Sequence, residues 1–141
     1  MHAELLVLLR AAVERAETAL RVLAEEAGSL GLKYLSVECS VSLGEALVKA
    51  RNHSQARSEL QRALAQSERL GLRMLAARSH YLLATALRVT GEGAEASGHY
   101  GEAQHILEEI RKESNSNTLL TRADRGPIYS ESARWSGRPP A

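Results

Sequence analysis

Apolar and polar residues alternate along most of this chain with the three- and four-residue spacing of an amphipathic α-helix. The first such stretch runs from Ala3 to Gly28 and contains no residue that breaks a helix. Its apolar positions recur as Leu5, Leu9, Ala12, Ala16, Leu20, Leu23 and Ala27. The pattern therefore predicts one long first helix, followed by a tight corner from Ser29 to Leu32.

Further helices follow, separated by short polar or glycine-containing turns. Asn52 or Ser54 is expected to cap the third of them, because both side chains can accept a bond from a free helical N–H. No proline occurs before Pro127, so none interrupts these segments. We predict helices over Lys33 to Lys49, from the RNHS break to about Leu70, over Arg73 to Val89, and from the TGEG turn to about Lys112.

The second and third predicted helices recur in the chain as the fourth and fifth. A shift of forty residues places identical residues together without a gap. The positions of the first copy that recur are Gly31, Leu32, Leu35, Leu43, Ala46, Leu47, Ala56 and Ala63. The repeating unit is a pair of helices, and a fixed period of this length is typical of a helical solenoid.

The repeated residues resemble the tetratricopeptide family. Leu43-Gly44-x-x-Leu47 is followed by Ala56-x-x-x-Leu60-x-x-Ala63, and the second copy has Leu83-Ala84-x-x-Leu87 and Ala96-x-x-x-Tyr100-x-x-Ala103. The resemblance implies an all-α right-handed superhelix of antiparallel helix pairs over residues 1–113, with a capping tail over residues 114–141. Small residues at Gly44 and Ala84 are expected to let the paired helices approach closely.

The chain departs from the family pattern at several positions. Ser40 and His80 stand where the family has a large aromatic residue, the closing proline is absent, and the period exceeds the usual 34 residues. This resembles the longer variant found in bacterial signalling proteins. It implies a scaffold that forms the C-terminal part of a larger regulatory protein.

The resemblance also implies a concave face, lined by the first helix of each pair. The positions that map onto this face are Glu38, Val41, Ser42, Glu45 and Val48 in one copy, and Arg78, Tyr81, Leu82, Thr85 and Arg88 in the next. On one interpretation, Arg78 and Arg88 bind carboxylates of a peptide and Tyr81 anchors it. On the other, the charges only keep the face soluble, and Glu38 or Glu45 pairs with Arg78 or Arg88.

The first helix begins with an apolar run that has no neighbour in the predicted repeat. Leu5, Leu6, Leu8 and Leu9 belong to this run. An exposed apolar end usually finds a partner, so we expect homodimerisation through these leucines.

The residues after Ser114 lack a sustained period. They contain turn formers, all three prolines, and the apolar residues Leu119, Leu120, Ile128, Tyr129 and Trp135. We expect a C-terminal cap in which NTLLTRA forms a short helix and the apolar residues cover the last repeat. The alternative is a linear segment that binds another surface or a neighbouring chain.

Composition and charge exclude several classes of partner. The chain has 141 residues, 44% of them hydrophobic, with no Phe and a net charge of +1 from interspersed charges. This balance does not indicate binding to nucleic acid or to a membrane. The lone Cys39 cannot form an internal disulfide, which agrees with a cytoplasmic location.

Few residues suggest chemistry. His99 and His105 are six residues apart and fall on different helix faces, and the pair His105 and Glu109 has no further ligands nearby. Cys39 and His80 are expected to lie in the helix packing, and His53 in an exposed turn. We therefore expect no metal, no cofactor and no enzyme activity.

The sequence thus favours a non-enzymatic scaffold that binds a protein or peptide on its concave face or associates with itself. The alternative is a regulatory domain that senses a small ligand between its helices. An enclosed apolar pocket with converging polar groups near His80 and Tyr81 would favour that alternative.

Overall fold

The chain folds into six α-helices in a computed structural model that describes residues 2–29, 33–114 and 126–137. Their bounds are α1 His2–Ser29, α2 Lys33–Lys49, α3 His53–Leu70, α4 Arg73–Val89, α5 Gly93–Ser114 and α6 Gly126–Ser136. The described residues contain no strand, so the expected all-α fold class is confirmed. The predicted NTLLTRA helix and most of the predicted corner at Ser29 to Leu32 lie outside the described residues.

Three connections between the helices have the same backbone geometry. Arg51, Gly71 and Gly91 are each left-handed, with φ of 61°, 70° and 88°. After each of them, the next amide N–H donates to a carbonyl five residues earlier, at 2.9 Å for Asn52, 2.8 Å for Leu72 and 2.9 Å for Glu92. These are Schellman-type ends, which stop a helix and reverse the chain within two residues. Asn52 occupies the N-cap position of α3 but makes no side-chain capping bond, because its amide donates to Gln55 Oε1 at 2.7 Å.

Each helix packs against the next one along the chain, and the even-numbered helices also contact one another. α2 contacts α4, and α4 contacts α6. The odd-numbered helices are linked instead by long side chains, as where Arg21 of α1 approaches Glu59 of α3 at 3.6 Å. α2, α4 and α6 therefore lie side by side in one row, and this row carries the groove described below.

The core lies between this row of even-numbered helices and the odd-numbered helices. Its fully buried members include Val41, Leu43 and Leu47 of α2, Ala56 and Leu60 of α3, Leu83 and Leu87 of α4, and Tyr100 of α5. Three of the shared pairs, Leu43/Leu83, Leu47/Leu87 and Ala56/Ala96, belong to this core, which explains why they recur. Leu35 is instead 46% exposed. A second cluster, formed by Ala77, Leu107 and Ile128, attaches α6 to α4 and α5.

α1 is much longer than the helix against which it packs. At about 1.5 Å per residue, the 28 residues of α1 span roughly 42 Å and the 17 residues of α2 roughly 26 Å. Leu5, Leu6, Val7, Leu8 and Leu9 are all at least half exposed. Even so, no helix in the described part of the chain has the continuous apolar length that a bilayer crossing requires.

Candidate binding groove

A groove of about 690 Å³ lies between α2, α4 and the first turn of α6. α4 forms its floor and α2 one wall, while Pro127 and Ile128 of α6 form the other wall. Its remaining lining residues are Tyr34, Glu38, Glu45, Val48 and Lys49 of α2, and Met74, Leu75, Arg78, Tyr81, Leu82 and Thr85 of α4. We call this surface the α2/α4/α6 groove.

The structure brings together most of the residues assigned to the concave face. Glu38, Glu45, Arg78, Tyr81 and Thr85 line the groove, as do Val48 and Leu82. Val41 does not, because its side chain is fully buried in the core. Assigning Val41 to the surface was therefore wrong: it faces the interior between the helices and has no area to offer a partner.

Arg88 also lies outside the groove lining. Its guanidinium carbon stands 4.4 Å from the centre of the Trp135 ring, and its Nε donates to the Tyr100 hydroxyl at 3.2 Å. A cation over an indole face is an attractive arrangement. Arg88 therefore holds α6 against α4 and α5, and its charge is already engaged within the chain.

The central charges of the groove contact one another, with one carboxylate placed between two cations. Glu45 accepts a hydrogen bond from Arg78 across the α2/α4 boundary, and Lys49 approaches its other oxygen at 3.0 Å. Burial alone would raise the pKa of Glu45, but the bonds from Arg78 and Lys49 outweigh it and lower that pKa. Of the two interpretations of the arginines, the one in which Glu45 pairs with Arg78 is the one observed.

Tyr81 connects the floor of the groove to α6. Its hydroxyl donates to Glu131 Oε2 at 2.6 Å, and its ring meets that of Tyr100 edge-on at 6.0 Å between centroids. Burial and the bond to Glu131 raise the pKa of Tyr81 well above its usual range. The hydroxyl is therefore a neutral donor, and Tyr81 offers a partner the side of its ring.

Glu38 is the charged lining residue that has no partner among the described residues. It is half-buried on α2, about two turns before the paired Glu45. Tyr34, one turn earlier, is 55% exposed. The α2 wall therefore presents, next to an exposed aromatic ring, a carboxylate that no described residue pairs with.

The lining residues that the sequence interpretation missed are Tyr34, Lys49, Met74, Leu75, Pro127 and Ile128. The helical period could have found three of them, because Tyr34 precedes Glu38 by four residues, Met74 precedes Arg78 by four, and Lys49 follows Glu45 by four. Residues at that spacing share a face. Pro127 and Ile128 could not be found in this way, because they lie far along the chain from α2 and α4. Only the packing of α6 brings them to the groove.

His80 lies on a different face of α4 from Tyr81. It is buried and packs on His99 of α5, with the two Nδ1 atoms 2.9 Å apart and the ring centroids 5.1 Å apart. One ring therefore donates a proton to the other. Burial, with His99 as the second cause, lowers the pKa of His80 to about 4.

The remaining chemical candidates do not assemble into a site. Within the described ranges, no group of three or more His, Cys, Asp or Glu side chains could hold a metal ion. Cys39 is half-buried with a free thiol, and His53 is half-buried at the start of α3 rather than fully exposed.

No family model, curated protein or solved structure that was searched matches this chain. The groove and the surfaces around it are therefore the features that bear on function.

Proposed function

We propose that this chain is a non-enzymatic protein-interaction module that holds a short segment of a partner protein in the α2/α4/α6 groove. The segment carries apolar side chains for the floor and one lysine or arginine for Glu38. Its architecture on this proposal is the tetratricopeptide-like helix-pair solenoid. Support comes from the forty-residue repeat, the contacts between alternate helices, and the like geometry of the three turns.

The observation that carries the proposal is the charge state of the groove. Arg78, Glu45 and Lys49 satisfy one another, so binding does not require them to find new partners. The lining that remains is largely apolar, and it includes Tyr34, Val48, Met74, Leu82 and Ile128. Removing such a surface from water contributes about 25 cal/mol per Å² of apolar area, from which the entropy lost on association is subtracted.

Glu38 determines the charge that we expect on the partner. A basic side chain placed opposite Glu38 would be attracted to it, whereas an acidic one would meet both Glu38 and the neutralised Glu45. The earlier expectation of an acidic peptide bound by Arg78 and Arg88 is therefore replaced, because both guanidinium groups have partners within the chain. A groove of this length is expected to bind a peptide with an affinity of about micromolar.

The test is a selection of peptides from a random library displayed on phage, with the purified chain as the bait. We expect enriched sequences to combine two or more apolar residues with one lysine or arginine. A synthetic peptide with the enriched sequence is then titrated by fluorescence anisotropy against the parent chain and its variants. Glu38→Lys and Tyr34→Ala should each weaken binding at least tenfold.

Glu25→Lys is the matched control, because it makes the same charge change at an exposed position of α1. It should leave the affinity unchanged. Peptides without basic residues, or peptides that bind Glu38→Lys as tightly as the parent, would show that the groove is not the binding surface.

The volume of the groove also fits a second candidate function, the sensing of a small molecule. Ligand pockets usually have about 300 to 1,000 Å³, and the groove has about 690 Å³. The polar groups do not converge as that alternative requires, since His80 is turned towards α5 and only Tyr81 reaches the groove. A compound library that raises the melting temperature of the parent chain but not of Tyr81→Ala would favour this candidate.

A further inference from the structure

An uninterrupted apolar stripe runs along α1 on a side that nothing in the described structure covers. Its members are Leu5, Leu9, Ala12, Ala16, Ala19 and Leu23, and all six are exposed. They follow one another at steps of four, three, four, three and four residues. This is the spacing of the core seam in a coiled coil.

The stripe is distinct from the face by which α1 contacts α2. Val13, Glu17 and Leu20 of α1 are half-buried on the side that faces the core, and Leu20 packs against it. At about 100° per residue, the stripe lies roughly a quarter turn around the helix from these three residues, and about a third of a turn in the other direction from the half-buried Ala11. A further helix can therefore lie along the stripe while α2 stays in place.

We propose that the stripe is covered by the same stripe of a second copy of this chain, with the two α1 helices antiparallel. The pattern is the same when it is read in either direction from Glu14. Antiparallel pairing about this point sets Leu5 against Leu23, Leu9 against Ala19, and Ala12 against Ala16. An antiparallel copy thus meets an apolar residue at every position.

Residue size supports this pairing. The alanines lie in the middle of the stripe and leucines at both ends, so the two helix axes can approach to about 8 Å at the centre. The leucines then cover the ends of the contact. The stripe extends over about 27 Å, counted from Leu5 to Leu23 at 1.5 Å per residue.

The first experiment is sedimentation equilibrium on the whole chain. The parent chain should behave as a dimer. Ala16→Glu should raise the dimer dissociation constant at least a hundredfold, because it places carboxylates inside the apolar contact. Thr18→Glu is the matched control, since it makes the same charge change at an exposed position on the opposite side of α1.

Circular dichroism of the same samples should show equal helix content in all three proteins. A parent chain that is monomeric at the highest concentration, or an Ala16→Glu variant that is as dimeric as Thr18→Glu, would overturn the proposal.

The second experiment tests the antiparallel orientation by disulfide formation in a Cys39→Ser background. Ala12→Cys and Ala16→Cys are prepared separately and mixed in equal amounts under mild oxidation. The mixture should give a crosslinked dimer that contains one chain of each kind, because residues 12 and 16 face each other. A crosslink in Ala12→Cys alone would mean parallel helices and would overturn the proposal.

This interface does not depend on the groove. Peptide binding by Ala16→Glu should equal that of the parent chain, and Glu38→Lys should remain dimeric. The two proposals can therefore fail separately.

Discussion

Gly44 of α2 and Leu60 of α3 touch so closely that there is no room for a side chain at residue 44. A Cβ added to Gly44 would lie 2.3 Å from Leu60 Cδ2 and 2.5 Å from its Cγ. Leu60 is fully buried, so it has little freedom to move away. A glycine inside a helix costs about 1 kcal/mol relative to alanine, and the close approach of α2 to α3 offsets that loss. The sequence-based expectation for Gly44 is confirmed.

Gly44→Ala is therefore expected to destabilise the fold although alanine is the better helix former. Overpacking a core costs about 1–3 kcal/mol, which exceeds the gain in helix propensity. Gly98→Ala in α5 is the control, because nothing lies within 4 Å of a Cβ at that position. It should stabilise the fold by up to about 1 kcal/mol. Urea unfolding followed by circular dichroism measures both, and a gain in stability from Gly44→Ala would contradict the argument.

Arg51 holds a backbone conformation that glycine holds at the two equivalent turns. Its φ is 61°, against 70° at Gly71 and 88° at Gly91. A left-handed conformation costs a residue with a side chain about 1–2 kcal/mol. We expect Arg51→Gly to raise the free energy of unfolding by about 0.5–1 kcal/mol, after allowance for the greater freedom of glycine in the unfolded chain.

Gly71→Ala should have the opposite effect and lower the free energy of unfolding by about 1 kcal/mol. Arg51→Ala separates backbone from side chain: it should change stability little, because alanine keeps the same strain. Thermal unfolding of the three variants provides the comparison. Stabilisation by Arg51→Ala as large as that by Arg51→Gly would show that the side chain, and not φ, is responsible.

The helices could be predicted from the sequence because local signals define them. The bounds predicted for α2 and α4, Lys33 to Lys49 and Arg73 to Val89, are those observed. Glycines and polar turns end these helices, and the hydrophobic period identifies their buried faces. Val41 shows the limit of such reasoning, because the family resemblance placed on the surface a residue that packing had buried.

α6 was missed although its sequence contains a signal. Pro127 occupies the first turn of the helix, where proline is well tolerated, and Ile128 and Ser132 follow on one face four residues apart. The three prolines of the tail were instead interpreted as part of a segment without a sustained period. The groove could not be predicted completely for the same reason, since its α6 wall and the bond from Tyr81 to Glu131 depend on where α6 packs.

The paired histidines predict a loss of stability in acid. His80 has a folded-state pKa of about 4, and burial also lowers the pKa of His99. An unfolded histidine has a pKa of about 6.5, so the unfolded chain binds more protons between pH 6.5 and 4. Stability should be complete above about pH 6.5 and should fall below it, by up to about 1.4 kcal/mol per pH unit for one proton.

Carboxylates near the pair limit this loss without reversing it. Glu68 of α3 lies 3.9 Å from His80 Nε2. Glu102 of α5 raises the pKa of both histidine rings. Arg57 of α3 acts in the opposite direction and lowers the pKa of His99. His80→Gln should flatten the pH dependence of urea unfolding. His105→Gln, at an exposed position, should leave it unchanged. Equal slopes in the two variants would mean that other groups cause the acid sensitivity.

The bond from Tyr81 to Glu131 predicts how firmly the α6 wall of the groove is held. Tyr81→Phe removes a 2.6 Å bond to a carboxylate and should make α6 easier to detach by about 1.4 kcal/mol, which is tenfold in the local opening equilibrium. Amide hydrogen exchange in α6 should then speed up about tenfold. The fluorescence of Trp135, the single tryptophan, should shift towards that of an exposed indole as the ring leaves Arg88.

Tyr34→Phe is the matched control, because Tyr34 is exposed on the opposite wall of the groove. It should leave exchange in α6 and the emission of Trp135 unchanged. Since α6 supplies Pro127 and Ile128 to the groove, Tyr81→Phe should also weaken binding of the selected peptide, although the aromatic ring is kept. Equal exchange rates in the two phenylalanine variants would show that α6 is held by its apolar contacts with α4 and α5, and that the hydroxyl of Tyr81 contributes nothing to the wall.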